Sequence, residues 1–305
     1  MGKFAFIATG YIIDYDGISV YIENLLKNLL LHSSLKNKEL SLDIYIAESA
    51  KTVFIERIFS KNKYENIHIL TIKDNNPILK MIHLQYMLLL NRNYTVVFMP
   101  NPMPLFLSAG KRIKVVHDLT IKKTPKFFSQ KMHRYIDFLI WYMRRFDDAI
   151  GYISNQTKAD IKQFYQIGEA NKKMIHLPNG IPFKVLDTPR PKISNILEKY
   201  EQKSIEFVIV GRINRAKGFD RILKFLNYFE NYLQNEHNFI NVIVHVVGKQ
   251  TIETREILNE AKLQKIHLQF HGFVDDKTLN NLYIKSHFCF FLSRNEGYGL
   301  PLVEA

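Results

Sequence analysis

Cysteine occurs once in this chain of 305 residues, at Cys289, which excludes an internal disulfide framework and a cysteine-rich zinc site and points to a reducing compartment. Glycine (13) and proline (10) are too few for a collagen-like or low-complexity chain. No run reaches the roughly 18 apolar residues of a membrane span; the apolar stretch from Leu84 to Leu90 is too short, and Pro100, Pro102 and Pro104 punctuate the segment after it. The N-terminal run Met1–Ala8 begins like a signal peptide, but Asp14 and Asp16 arrive before an adequate apolar segment and cleavage site, so it reads as a buried strand. Helix-turn-helix, RNA-binding and zinc-finger signatures are also missing. The formal net charge of +13 is therefore read as meeting an acidic membrane surface or an anionic small substrate rather than nucleic acid, and part of it as compositional bias toward Lys, Asn and Ile.

What is present is an alternation of short β-branched or aromatic runs with longer amphipathic stretches. Strands are expected at Phe4–Ala8, Ser41–Ala47, Ile67–Ile72, Thr95–Pro100, Ile113–His117, Ala149–Ser154 and Lys173–Leu177, with a helix over Val20–Leu31. A second set begins near residue 205: strands Ile205–Val210, Val242–Val247, His267–Phe270 and Phe288–Leu292, with helices Asp220–Leu233, Glu253–Leu263 and Lys277–Ser286 between them. Phe183–Ser204, polar and carrying Pro189 and Pro191, reads as the link. The expectation is an α/β protein of two Rossmann-like domains, 1–185 and 186–305, with parallel sheets and ligand at the carboxyl ends of their strands, in the cleft between them.

The stretch 127–146 carries Phe128, Met132, Tyr135, Leu139, Tyr142 and Phe146 at spacings of four and three, among Lys126, Lys131, His133, Arg134, Arg144 and Arg145. A basic aromatic helix can lie on an anionic membrane. The preferred reading is a helix packed on its own sheet with a solvated basic face, because stripes at this spacing are usually core.

The strongest chemical signal ends the sequence. Glu296 and Glu304 bracket a glycine-rich turn, Gly297-Tyr298-Gly299-Leu300, with Pro301 where a helix should open. Glycines permit close backbone approach, free N–H groups at a helix start favour phosphate, and a carboxylate there can accept from two adjacent sugar hydroxyls. Arg212 and Lys217 come after a buried strand and precede a helix; they read as a solvated loop pair or as cations for a departing phosphate, and the presence of the Glu296–Glu304 pattern in the same chain favours the second. No His or Cys cluster has convincing metal-ligand spacing.

Glu296–Glu304 resembles the E-x7-E motif of retaining glycosyltransferases with the GT-B fold, in particular the large family four. Asp16–Tyr21, Val115–Leu119, Ser154–Ile161, Pro178–Ile181, Val210–Arg212 with Lys217-Gly218, and Phe270–Val274 resemble further segments of that family in the same order. The resemblance implies that His117 and Glu296 are catalytic, meeting the transferred sugar. It implies that Gly17, Arg212, Lys217, Val274, Gly299, Leu300 and Glu304 bind the donor, with Val274 in the nucleobase loop and Glu304 on the ribose. Asp118 is left with two readings, fixing the tautomer of His117 or capping the next segment; Asp275 and Asp276 likewise meet a guanine edge or cap a helix. The implied reaction moves a hexose from a nucleotide sugar to a glycan or lipid-linked acceptor in cell-surface polysaccharide assembly, with retention and without cofactor or metal. The implied location is the cytoplasm, with a peripheral position on the inner face of the membrane as an option.

The sequence departs from the family pattern in two places: Asp16 stands where paired glycines are common, and the chain stops one residue after Glu304. The second departure carries the expectation of an incomplete second domain, a frayed Glu304 and weak or absent transferase activity. The alternative function is a non-catalytic relic or nucleotide-binding protein of the same fold.

Overall fold

The computed structural model describes residues 2–12, 17–59, 64–91, 93–105, 110–167, 173–180, 204–235, 241–261 and 263–305. The chain divides into two compact units, Met1–Gly180 and Ile181–Ala305. Residues 183–203 of the expected link, the expected 185/186 boundary and Asp16 lie outside the described residues.

The first unit is built on a parallel sheet. Its strands are β1 (Gly2–Ile7), β2 (Leu40–Ala47), β3 (Ile67–Ile72), β4 (Val96–Met99), β5 (Lys111–Val116), β6 (Ala149–Tyr152) and β7 (Lys173–His176), in the order β3-β2-β1-β4-β5-β6-β7. β1 is central, which explains why the signal-like N-terminus is a strand: Ala5, Phe6 and Ile7 are all buried. Alternate residues of each strand serve opposite faces. Phe6 and Ala8 pack with Ile22 and Leu26 of the helix Gly17–Leu31 and with Phe54 of the helix Lys51–Phe59. Ala5 and Ile7 pack with Leu84 and Leu88 of the helix Pro77–Leu90. Farther along, Val116 and Ile150 pack with Ile140 and Met143 of the helix Gln130–Phe146.

One buried charge interrupts this core. Lys114 of β5 has no solvent exposure, pairs with Asp147 at 2.9 Å and lies 4.5 Å from the Tyr142 ring centroid. Burial pushes its ammonium down to about 8, against the opposing pull of Asp147.

The second unit repeats the plan with β8 (Ser204–Val210), β9 (Asn241–Val247), β10 (His267–Gly272) and β11 (Phe288–Phe290), parallel and ordered β10-β9-β8-β11. The helices Phe219–Asn235, Ile252–Glu260 and Asp276–Lys285 connect them. Val242, Val244 and Val246 pack with Ile222 and Leu226 on one face, and Val208 and Val247 with Leu279 and Leu282 on the other. Phe207 stacks on Phe290 across the β8–β11 pair at 4.7 Å between centroids.

Three expectations need correction. The helix expected over Glu253–Leu263 ends at Glu260, and Phe288–Leu292 is a strand only as far as Phe290. The stripe on Gln130–Phe146 is core only in part: Leu139 and Tyr142 are buried, whereas Met132, Tyr135 and Phe146 are more than two-fifths exposed. The helix is amphipathic, but its outer face is aromatic as well as basic.

Candidate active site

β8 and β11 lie side by side with Phe207 opposite Phe288 and Ile209 opposite Phe290, so both chains leave the sheet at the same edge. That topology brings together two loops far apart in sequence, 211–218 and 291–299. Gly218 is required at their contact: its φ is +75°, and a Cβ there would collide with the Leu292 carbonyl. Arg294 joins the loops. Its amide donates to the Ala216 carbonyl at 3.0 Å, and its guanidinium donates to the Arg215 carbonyl and forks onto Asp220 at 2.7 and 2.6 Å. Burial pushes the Asp220 carboxyl up, but the Arg294 hydrogen bonds outweigh it and hold that carboxyl below its ordinary value.

On this frame Lys217 meets Glu296, with Nζ 2.6 Å from Oε1 across 79 positions of sequence. The Lys217 amide donates to Asn214 Oδ1 at 2.9 Å, which fixes the turn that aims its side chain. Arg212 stands exposed on the same loop and has no hydrogen-bond or ion-pair partner among the described residues. The loop therefore presents one ammonium already seated beside a carboxylate and one guanidinium open to solvent.

Gly299, at φ +85°, ends the other loop and starts the short helix Leu300–Glu304. Glu304 Oε2 accepts from the Tyr283 hydroxyl at 3.1 Å, so the carboxylate expected to fray is tied to the helix Asp276–Lys285. Burial, then the nearby Glu304 charge, pushes the Tyr283 hydroxyl far up, and the same two causes raise the Cys289 thiol to about 11. Val274 packs in the cluster that contains Tyr283 and Cys289, on the same sheet face. Asp275 takes the capping role: its Oδ1 accepts from the Thr278 amide at 2.7 Å.

Gly17 and His117 belong to the first unit, and the other seven expected residues to the second. Gly17 is the exposed first residue of its helix. His117 stands just after β5, with its ring edge-on to the buried Tyr21 at 4.9 Å between centroids. Its Nε2 lies 2.6 Å from the Pro100 carbonyl oxygen, which only accepts, so Nε2 carries a hydrogen and the neutral ring has its lone pair on Nδ1. Asp118 does not orient that ring; its Oδ1 accepts from the Thr120 amide at 2.9 Å.

Sequence reasoning missed Arg294, Asp220 and Tyr283, the three side chains that hold the site in shape. An acid in a first helical turn, a cation two residues before Glu296 and a tyrosine near a strand are each too common to mark a site before the strands are paired. Among the described residues, no group of three or more His, Cys, Asp or Glu side chains is arranged to hold a metal ion.

The class defined by this arrangement is a two-unit parallel α/β protein with charged loops at the carboxyl edge of its second sheet. That is the GT-B type of fold found in glycosyltransferases. Residues 189–305 match the family model described as glycosyl transferases group 1. Over 199 residues the chain is 25% identical to the serotype-specific mannosyltransferase WbdA of Escherichia coli, covering 64% of this chain and 24% of the relative. The chain thus spans about a quarter of the length of the curated relatives it matches. Among solved structures it is similar to WaaG, a glycosyltransferase involved in lipopolysaccharide biosynthesis, with TM-score 0.65 and 15% identity over 99% of this chain and 78% of that one. The E. coli trehalose-6-phosphate protein bound with UDP-2-fluoro glucose matches with TM-score 0.62 and 12% identity, over 99% of this chain and 81% of that one. The lipopolysaccharide outer core galactosyltransferase WaaB gives 0.54 and 14%, over 99% and 77%. At these identities the structural likeness shows the fold.

Proposed function

We propose that the chain is a retaining, metal-independent glycosyltransferase of family four, moving a hexose from a nucleotide sugar to a glycan or lipid-linked acceptor in cell-surface polysaccharide assembly. The observation that carries this reading is the 2.6 Å contact of Lys217 and Glu296 where the loops after β8 and β11 meet, inside the segment matching the group 1 family.

The chemistry rests on those groups. The bond between sugar C1 and the diphosphate oxygen breaks, and negative charge gathers on the leaving phosphate. Lys217 and Arg212 answer that charge more strongly in the transition state than in the bound donor. Glu296, holding the ammonium through one oxygen, has its other oxygen for a sugar hydroxyl and for oxocarbenium-like charge at C1. The acceptor oxygen bonds to C1 on the face the diphosphate leaves, and its proton passes to a phosphate oxygen. Glu304, steadied by Tyr283, accepts from the ribose hydroxyls; the backbone at Gly299 and Leu300 approaches the diphosphate, and Val274 borders the base. From the first unit, Gly17 serves the donor and His117 a hydroxyl of the transferred sugar. Arg212 and Lys217 would supply the charge that a divalent ion supplies elsewhere.

The test is a thermal-shift screen of UDP-, GDP- and dTDP-sugars, with mannosyl donors first because of the mannosyltransferase relative, and then product analysis with the stabilising donor. Lys217→Ala is expected to lower kcat about 100-fold or more. Glu304→Ala is expected to weaken donor affinity about tenfold or more. Donor affinity unchanged in Glu304→Ala would remove the ribose assignment, and binding without turnover would leave a nucleotide-binding protein.

A further inference from the structure

Four loops leave the carboxyl edge of the second sheet, and strand order sets their sequence along it: 272–275 after β10, 248–251 after β9, 211–218 after β8 and 291–299 after β11. Three of them hold residues assigned above to the donor: Val274, then Arg212 with Lys217, then Glu296 and Gly299. The loop after β9 lies between the first two, so a ligand reaching from Val274 to Arg212 passes over it. Lys249 and Gln250 are the exposed residues of that loop.

Backbone hydrogen bonds fix this loop against both neighbours. The Gly248 amide donates to the Gly272 carbonyl at 2.8 Å, and the Gly211 amide to the Val247 carbonyl at 2.9 Å. The pairing of β8 with β9 continues past the strands. Val210 is beside Val247, Gly211 and Gly248 both turn at φ +133°, and Ile213 bridges Gln250 in parallel. Counted from either end, Arg212 stands in register with Lys249. The Ile213 amide donates to the Lys249 carbonyl at 3.0 Å, and the Ile213 carbonyl accepts from the Thr251 and Thr254 hydroxyls at 2.9 and 2.8 Å. The two loops are thus fastened together where the two cations stand.

Like charges placed side by side on adjacent strands repel, and no acid answers this pair. Lys249, like Arg212, has no hydrogen-bond or ion-pair partner among the described residues. The acids that touch these loops already have donors: Glu253 the Arg215 amide, Glu260 the Arg215 guanidinium, Glu296 Lys217 and Asp220 Arg294. Two adjacent exposed cations without a counter-charge fit a ligand that brings more than one negative charge.

We propose that Lys249 is a further donor-binding residue: its ammonium and the Arg212 guanidinium take the diphosphate together. Lys249 meets the phosphate next to the nucleoside, because its loop lies on the Val274 side of Arg212. The inference rests on the nucleotide-sugar reading and adds to it a residue and a loop.

The probes are UDP, GDP and dTDP, titrated calorimetrically into the full chain, and the nucleoside matching whichever diphosphate binds, read by competition. Lys249→Ala is expected to weaken the diphosphate about tenfold or more and to leave the nucleoside unchanged, with Lys249→Arg retaining most of the affinity. Stability without ligand separates this role from a structural one. Lys249→Ala is expected to unfold at or above the wild-type denaturant midpoint, and Lys249→Glu, able to pair with Arg212, above it while binding the diphosphate more weakly still. Wild-type diphosphate affinity in Lys249→Ala, an equal loss for the nucleoside, or a lowered midpoint without ligand each overturns the proposal. A wild-type chain that takes none of the three diphosphates overturns the nucleotide-sugar reading itself, an outcome seen before any substitution is made and so distinct from the others.

Discussion

Arg294 holds two loops through its amide and both ends of its guanidinium, reaching Arg215 and Asp220 across 79 and 74 positions of sequence. Replacing it by Ala leaves Asp220 largely buried without its charged donor. Arg294→Ala is therefore expected to destabilise the second unit by about 2–3 kcal/mol, read from denaturant midpoints. The pH dependence has a definite sign. The folded Asp220 carboxyl lies below its unfolded value, so its contribution is present above the unfolded carboxylate range and is lost as pH falls through the folded value. Wild type and Arg294→Ala should converge in stability on acidification; a constant gap into the acid range would mean that Asp220 is not the partner that matters. Glu296, Glu304, Arg212 and Lys217 were legible as residue types in a telling order, whereas the pairing of Lys217 with Glu296 and of Tyr283 with Glu304 was not, because neither pair has a local pattern.

At the scale of elements, β-branched runs gave the strands within a residue or two, since buried parallel strands leave an almost continuous apolar signature. The helices Lys51–Phe59 and Pro77–Leu90 were not read. In the second, apolar residues occupy the outer face as well as the inner one, which erases the helical period. A start signal was nevertheless present: Asn76 Oδ1 accepts from the Ile78 and Leu79 amides at 2.8 and 3.3 Å, and Pro77 opens the first turn. The same loss of contrast misled the reading of 127–146, where an exposed aromatic edge was assigned to core. The turn at Gly218 tests the loop contact. Gly218→Ala must keep a left-handed backbone and displace the Leu292 carbonyl, so a loss of about 2 kcal/mol or more is expected, with a drop in donor stabilisation. A fully stable variant that binds donor normally would show that the two loops do not need this contact.

For the whole molecule, two cores in two units make separate unfolding events measurable. The chain supplies a reporter for each: Trp141 in the first unit and Cys289, its one thiol, in the second. Half-buried beside Glu304, Cys289 should label slowly in the native state. A nucleotide sugar bound through Arg212, Lys217 and Glu304 is expected to slow thiol labelling of Cys289 in mild denaturant more than it moves the Trp141 emission midpoint. Equal protection of both reporters would mean that Arg212, Lys217 and Glu304 are not the ligand's main hold.

Strand and helix type, the two-set α/β plan and the acid–glycine–acid run near the C-terminus are written locally, because hydrophobic period, turn residues and motif spacing act over a few neighbours. Folding alone settled that β8 lies against β11 and so carries Lys217 to Glu296, that Arg294 closes onto Asp220, and that Arg212 stands in register with Lys249. Those relations come from strand order and crossover packing, and hydrogen bonds and ion pairs between residues some 80 positions apart exist only once the sheet has brought their backbones together.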